Sequence, residues 1–224
     1  MVCNAAGYSD QTVAELVIGF AIDALRKIPE ADRQVRALQG SAGLMGRELC
    51  GKTVGIIGLG KIGLRTAKLF QAFGCRVIAY NRSESEEAKQ MGISYLPLEE
   101  VLSQSDILSV HLPLNNATRG FLGESQLKLM KPSAVLINCA RGPVVDEAAI
   151  VKALSENRLG YACVDVFDKE PPLPAEQPLL HAERALLTPH VGYLSEESMV
   201  RRAKIVFDNV QSFLDGKPQN VCKI

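Results

Sequence analysis

From Lys52 onward the chain alternates short apolar runs with stretches whose apolar residues recur at helical spacing. The runs cover residues 53–57, 76–80, 93–95, 107–110, 134–137, 162–164 and 185–187. Between most of them lie amphipathic stretches, among them 61–72, 98–103, 124–130 and 146–155. A strand that is apolar at successive positions is covered on both faces, and strands alternating with helices build a parallel sheet joined by right-handed crossovers. The pattern therefore predicts an α/β fold, a doubly wound parallel sheet, without internal repeats.

The two ends depart from this alternation. Ser9 stands where a helix N-cap is expected, and the helix that follows, from Asp10 to about Lys27, is apolar around most of its circumference and so largely buried. Residues 29–49 are more polar and interrupted by Gly40, Gly43 and Gly46, which predicts a short helix and a loop. Near the C-terminus Ser195 caps a helix through about Leu214, with Met199, Ala203, Val206, Val210 and Phe213 on one apolar stripe and Gly216-Lys217-Pro218 as its stop. The tail, 219–224, is expected to be a strand or an arm lying on a partner surface.

Composition narrows the function classes. At 224 residues and 47% hydrophobic content, the chain suffices for one large domain or one domain with an appendage. Lys+Arg and Asp+Glu balance at 25 each, which argues against a nucleic-acid or anionic-membrane surface. The longest apolar run, residues 16–22, is far short of the roughly 20 residues that span a bilayer. The start, Met1-Val2-Cys3-Asn4, has neither the basic nor the apolar part of a signal peptide. Six cysteines and three histidines form no metal-ligand spacing, so reduced thiols in a cytoplasmic protein are expected and no metal is.

The first chemistry lies in TVGIIGLGKIG, residues 53–63, where a strand runs into glycines spaced G-x-G-x-x-G and then into a helix. In that context the glycines are a dinucleotide fingerprint. Gly58 permits the tight turn, Gly60 lets backbone approach a pyrophosphate, and Gly63 lets the helix pack on the strand. The N–H groups around Lys61 and Ile62 then face the phosphates with the positive end of the helix dipole. A Rossmann domain of this kind needs a ribose-binding residue at the tip of its second strand, usually an acid. Here the tip is Asn81-Arg82-Ser83. Asn81 can accept a bond from a ribose hydroxyl without bringing a charge, while Arg82 and Ser83 offer donors suited to a 2′-phosphate. NADP is favoured over NAD, and Glu84, Glu86 and Glu87 temper that preference by opposing the arginine's charge.

Two further stretches supply catalytic groups. VLINCARGPVVDE, 135–147, places Arg141 just past the carboxyl end of a strand, where doubly wound sheets bind ligands and where a guanidinium can hold a carboxylate bidentately. YACVDVFDKEPPLP and LLTPHVGYL supply Asp165, Glu170 and His190, the carboxylates and imidazole that acid–base chemistry requires.

Taken in order, NAAGYSDQTVAE, ELCGKTVGIIGLGKIG, HLPLNNATRGFL, INCARGPVVDEAAIVKAL, VDVFDKEP and TPHVG resemble the D-isomer-specific 2-hydroxyacid dehydrogenase family over essentially the whole chain. The family includes D-glycerate/hydroxypyruvate reductases, D-lactate dehydrogenases and phosphoglycerate dehydrogenases. The resemblance implies an NAD(P)-dependent enzyme interconverting 2-keto and D-2-hydroxy acids. In it Arg141 would bind the substrate, Glu170 would be the partner acid, and His190 the proton donor and acceptor. Asp165, the Cys139 backbone and Gly192 would lie at the nicotinamide end, with Pro113 and Thr118 lining the cofactor groove. Formate dehydrogenases share the fold but carry Gln in place of the Glu, so Glu170 disfavours formate. Cys139 is expected to be a tolerated small residue rather than a nucleophile, and His111 and His181 structural.

Members of this family begin with the larger part of a substrate domain, and this sequence opens near its end. The resemblance thus implies remnants of a second, substrate-binding domain at both ends: the close of that domain in residues 1–9, a dinucleotide-binding domain in 10–192, and a helix and tail in 193–224 that return to it. Such a chain is expected to bind dinucleotide, turn over poorly, and associate through apolar surface on the terminal helix. The buried-looking helix after Ser9 suggests the homodimer typical of the family. A competing expectation is a dinucleotide-sensing binding protein, like the C-terminal-binding-protein corepressors, which resemble this family and keep the same three catalytic residues.

Overall fold

Seven short strands lie in one parallel sheet at the centre of the computed structural model, which describes residues 1–222. They are β1 (Thr53–Ile57), β2 (Arg76–Tyr80), β3 (Ser94–Tyr95), β4 (Ile107–Val110), β5 (Val135–Asn138), β6 (Tyr161–Val164) and β7 (Ala185–Leu187). Their order across the sheet is β3-β2-β1-β4-β5-β6-β7, every neighbouring pair parallel. The chain works outward from β1 to β3 on one side, then returns to place β4 on the other side of β1. That reversal opens a crevice at the carboxyl ends of β1 and β4, where open α/β sheets hold their ligands.

The expected doubly wound sheet is therefore present, and its strands begin within a residue of the predicted starts. Two helices, α1 (Asp10–Arg26) and α3 (Lys61–Ala72), cover one face; α5 (Leu98–Gln104) and α7 (Glu147–Ser155) cover the other. Of α1 only Glu15 and Arg26 are exposed, as its near-continuous apolar circumference predicts. Strands β4 and β5 are buried at every position, because side chains on both faces meet a helical layer. Phe70 of α3 is fully buried, a burial worth roughly 2–3 kcal/mol on its own.

The fingerprint turn has the backbone its glycines require. Gly58 sits at φ +91°, and a Cβ on Gly63 would lie 2.3 Å from the Gly58 carbonyl oxygen, so any side chain there would force α3 off β1. Asp146 caps α7 by accepting from the Ala148 and Ala149 N–H groups at 2.9 and 3.2 Å. Ser9 precedes α1 but makes no side-chain capping bond, contrary to expectation. Residues 29–49 form α2 (Ile28–Arg36) and a loop. Two further short helices occur, α4 (Glu86–Gln90) and α6 (Glu124–Leu127); α4 has no apolar periodicity in sequence, and only its Ala88 is buried.

Ser195 and Ser198 exchange hydrogen bonds at the start of α8 (Glu196–Leu214). The apolar stripe of α8 faces outward, with Val206, Val210 and Phe213 about half exposed. What the helix buries is polar. Asn209 donates to the Asn4 carbonyl at 2.9 Å and accepts from Asn220 at 2.8 Å. The tail in turn pairs with the start of its own chain, Cys3 bridging antiparallel to Val221, rather than reaching away as an arm. Positions 223 and 224 of that predicted tail lie outside the described residues. No helix among the described residues is long and apolar enough to cross a membrane.

Candidate active site

The carboxyl ends of β1, β4, β5 and β6, with the segment from Ala6 to Asp10 opposite, enclose a cavity of about 530 Å³. Seven of the predicted site residues line it: Ile62, Pro113, Cys139, Arg141, Asp165, His190 and Gly192. The sheet explains why they meet. They follow the ends of five strands, β1, β4, β5, β6 and β7, so positions far apart in sequence converge on one crevice.

At the floor, α3 opens with Lys61, Ile62 and Gly63, whose N–H groups have no partner within the helix, and its N-cap is Gly60 without a side chain to cover them. Nothing lies within 4 Å of where a Gly60 Cβ would stand. The turn is thus an open, positively polarised cradle, the chemistry a pyrophosphate fits.

At the end of β5, Asn138 ties the following turn together: its amide donates to the Arg141 carbonyl at 3.1 Å and its oxygen accepts the Ala140 N–H at 3.1 Å. The Arg141 guanidinium donates to the Ala140 carbonyl at 2.6 Å and joins no ion pair among the described residues, so its remaining donors are available to an anionic ligand. Gly142 behind it presses on the end of β6: a Cβ there would stand 2.0 Å from the Phe167 carbonyl carbon. The Cys139 thiol is buried, and burial, then the Asp165 charge, push its pKa well up. A thiol held protonated in this way is a poor nucleophile.

His190 adopts a left-handed backbone, φ +56°. The cause is Asp165, whose buried carboxylate accepts bonds from the Thr188 hydroxyl, the Val191 N–H at 2.8 Å and the Gly192 N–H at 2.8 Å. Those groups bracket His190 in sequence, so the loop is drawn around the carboxylate and the histidine is turned outward. The His190 Nδ1 meets Glu170 Oε2 at 2.9 Å. Glu170 does not itself line the cavity; it reaches His190 from the loop after β6. Glu147 anchors that loop by accepting the Asp168 N–H at 2.6 Å and the Gln177 amide at 2.7 Å.

Two aromatic residues of the site went unrecognised in sequence. Tyr193 packs edge-on against His190, ring centroids 5.6 Å apart, and Tyr8 packs edge-on against Tyr193 at 6.4 Å. The Arg202 guanidinium sits 5.6 Å from the Tyr8 ring centroid, and Arg201 donates to the Tyr8 carbonyl at 2.9 Å. Helix α8 thereby holds the 6–10 segment against the cavity. Neither tyrosine carried a signal, because their contact with each other joins turns over a hundred residues apart. Thr118 is nearby but turned into its own loop, its hydroxyl donating to the Pro113 carbonyl at 2.6 Å. His111 also lines the cavity, with Nε2 bonded to Ser109 Oγ at 2.9 Å, and burial holds its pKa down at about 4.

At the far end of the crevice, Asn81, Arg82 and Ser83 follow β2. Two lysines offset part of the acidic run beyond them, leaving one negative charge in excess. Lys89 pairs with Glu84 at 2.8 Å and Glu86 at 3.2 Å, and Lys68 pairs with Glu87 at 2.9 Å. Arg82 is exposed and joins no ion pair among the described residues.

Residues 18–192 match the family model described as D-isomer specific 2-hydroxyacid dehydrogenase, NAD binding domain. A glyoxylate reductase from Aeropyrum pernix is 40% identical over 98% of this chain and 68% of its own length. A D-3-phosphoglycerate dehydrogenase from Archaeoglobus fulgidus is 36% identical over 97% of this chain but only 42% of its own. Among solved structures, an acyclic imino acid reductase in complex with NADPH and D-Arg superposes with a TM-score of 0.91 at 34% identity, covering 100% of this chain and 71% of that one. An NAD-complexed D-isomer specific 2-hydroxyacid dehydrogenase from Lactobacillus delbrueckii ssp. bulgaricus gives 0.89 at 32%, covering 99% and 72%. With a matching sheet, fingerprint turn and sequence, the chain belongs to the D-isomer-specific 2-hydroxyacid dehydrogenase family, of which it contains the NAD-binding part.

Proposed function

We propose that the protein serves the reduction of small 2-keto acids to D-2-hydroxy acids, with NADP preferred over NAD. The observation that carries the chemistry is the 2.9 Å contact between His190 Nδ1 and Glu170 Oε2 at the wall of the cavity that Arg141 also lines. With Nδ1 held by a carboxylate, Nε2 is the nitrogen left to exchange a proton with a substrate oxygen. Arg141 would hold the substrate carboxylate and orient the adjacent carbonyl. The nicotinamide, when bound, supplies or takes the hydride. Asp165 would act as a positioning residue, fixing the His190 loop while bordering the nicotinamide end of the cavity.

The cofactor preference rests on charge. With Glu84 and Glu86 sharing Lys89 and Glu87 paired to Lys68, most of the acidic charge beside Arg82 is offset, and Arg82 itself is left to a 2′-phosphate. The one acid left in excess still tempers the preference, as the sequence suggests.

The test has two stages. Fluorescence titration of the 224-residue chain with NADPH and NADH is expected to give tighter binding of NADPH. Nicotinamide absorbance is then followed with a panel of 2-keto acids. Residues 6–10 line the cavity opposite the strand ends, and turnover by the 224-residue chain is expected to be slow. Whatever rate is found is expected to fall by about 10²–10⁴ in His190→Gln and Glu170→Gln. A rate unchanged by both substitutions would overturn the assignment. Tight cofactor binding with no turnover of any keto acid would favour a dinucleotide sensor instead.

A further inference from the structure

Asn81 stands where a residue of this fold grips the ribose, but its side chain is already engaged. Its Oδ1 accepts the Leu59 N–H at 3.2 Å, and its Nδ2 donates to the Ser83 carbonyl at 2.6 Å. The first bond reaches back to the fingerprint turn; the second closes the tip of β2 over Arg82. A neighbouring backbone bond, Gly58 N–H to the Tyr80 carbonyl at 2.9 Å, runs in parallel. The amide orientation is fixed by these partners, since Leu59 needs an acceptor and the Ser83 carbonyl needs a donor.

We infer that Asn81 is a positioning residue for 2′-phosphate recognition: it does not read the ribose, but locks the Arg82-Ser83 tip to the pyrophosphate-binding turn. The inference rests on the NADP preference proposed above. The chemistry of the position supports it. An aspartate at 81 could take the Leu59 N–H but has no proton for the Ser83 carbonyl, and its charge would repel a phosphate. Alanine would leave the buried Leu59 N–H without its acceptor and the tip untied. Only asparagine or a close analogue both accepts from the turn and donates to the tip while staying neutral. Two segments 22 residues apart, one for the pyrophosphate and one for the 2′-phosphate, are thereby set at a fixed spacing.

Asn81→Ala distinguishes positioning from contact, using equilibrium titrations of the 224-residue chain. Under the inference, the Kd for NADPH rises by about tenfold or more while that for NADH changes by less than about threefold, because only NADPH depends on the placement of Arg82 and Ser83. If Asn81 instead contacts the ribose hydroxyl, NADH loses at least as much as NADPH, and the inference is overturned; no change in either ligand overturns it equally. A second measurement needs no substitution. Amide exchange at Leu59 in the unmutated chain is expected to stay protected with NADH and with NADPH bound, whereas loss of protection on NADH binding would show the side chain swinging to the ribose. Arg82→Ala separates this inference from the reading beneath it. If Arg82→Ala weakens NADPH and Asn81→Ala does not, the cofactor preference stands and the positioning role falls. If Arg82→Ala leaves NADPH binding unchanged, both fall.

Discussion

Asp165→Asn probes the device that turns His190 toward the cavity. The carboxylate accepts three bonds, from the Thr188 hydroxyl and from the Val191 and Gly192 N–H groups, and it is about 1% exposed. Asparagine is isosteric but has one oxygen. If that oxygen serves Thr188 and Val191, the amide NH₂ faces the Gly192 N–H, and two donors meet in a buried site. The variant loses one charge-assisted bond, worth roughly 1.5–3 kcal/mol, and leaves a donor unsatisfied at a further cost of about 1–3 kcal/mol. It also weakens the restraint on a left-handed histidine, which itself costs on the order of 1 kcal/mol to hold. The expected destabilisation is roughly 3–5 kcal/mol, against total stabilities of about 5–15 for a domain. In urea this is a fall in midpoint of roughly 1–3 M with the slope unchanged. Thr188→Val, which removes one charge-assisted bond but leaves the two backbone N–H groups satisfied, is expected to cost less, roughly 1.5–3 kcal/mol. A midpoint for Asp165→Asn within error of the parent chain would refute the claim that this carboxylate organises the loop.

Other perturbations test neighbouring parts of the argument. Burial depresses the His111 pKa from 6.5 to about 4, so the unfolded chain binds the extra proton between those values. The associated stability is complete above about pH 6.5 and lost as pH falls toward 4. For this half-buried residue it amounts to on the order of 2–3 kcal/mol, and urea midpoints at pH 7 and pH 4.5 should differ less in His111→Gln than in the parent chain. Gly142→Ala drives a Cβ into the Phe167 backbone, a clash no rotamer relieves, and is expected to cost about 3 kcal/mol or more, lowering Tm by roughly 6–12 °C. Lys89→Gln leaves Glu84 and Glu86 uncompensated beside Arg82; NADPH affinity should fall roughly threefold below the parent's at low ionic strength, the gap closing near 1 M salt, with NADH unaffected.

How much of this was legible in the sequence depends on whether the determinants are local. The fingerprint was, because its requirements are set within six residues: Gly58 at positive φ and Gly63 against the Gly58 carbonyl follow from the turn itself. The strands were, because burial on both faces leaves apolar runs that no amphipathic helix shows. Arg141 and His190 were legible by type and motif, but not what holds them. The bonds of Asp165 to the loop around His190, and of Glu147 to the loop carrying Glu170, cross 21 to 30 residues of chain. Tyr8 and Tyr193 meet only because α8 returns to the start of the chain.

The β2 tip shows why a charge count along the chain misjudges a binding site. Three glutamates within five residues of Arg82 suggest a field hostile to a phosphate. Yet the field at Arg82 depends on where their countercharges stand. Lys89 is brought back onto Glu84 and Glu86 by α4, a single polar turn and a half with no periodic signal, and Lys68 comes from α3 across the groove. Exposed pairs of this kind contribute about 0–1 kcal/mol each to stability. If a 2′-phosphate binds at Arg82 as proposed, their greater effect is on the ligand, because each lysine offsets part of the acids' repulsion of the phosphate. The same logic applies to Asn81, whose identity was visible but whose partners were not. Read alone it is a ribose ligand without a charge; with its bonds to Leu59 and Ser83 it is, on the reading proposed above, a brace between two phosphate-binding segments, and only the brace predicts a fall in the NADPH-to-NADH affinity ratio on substitution by alanine.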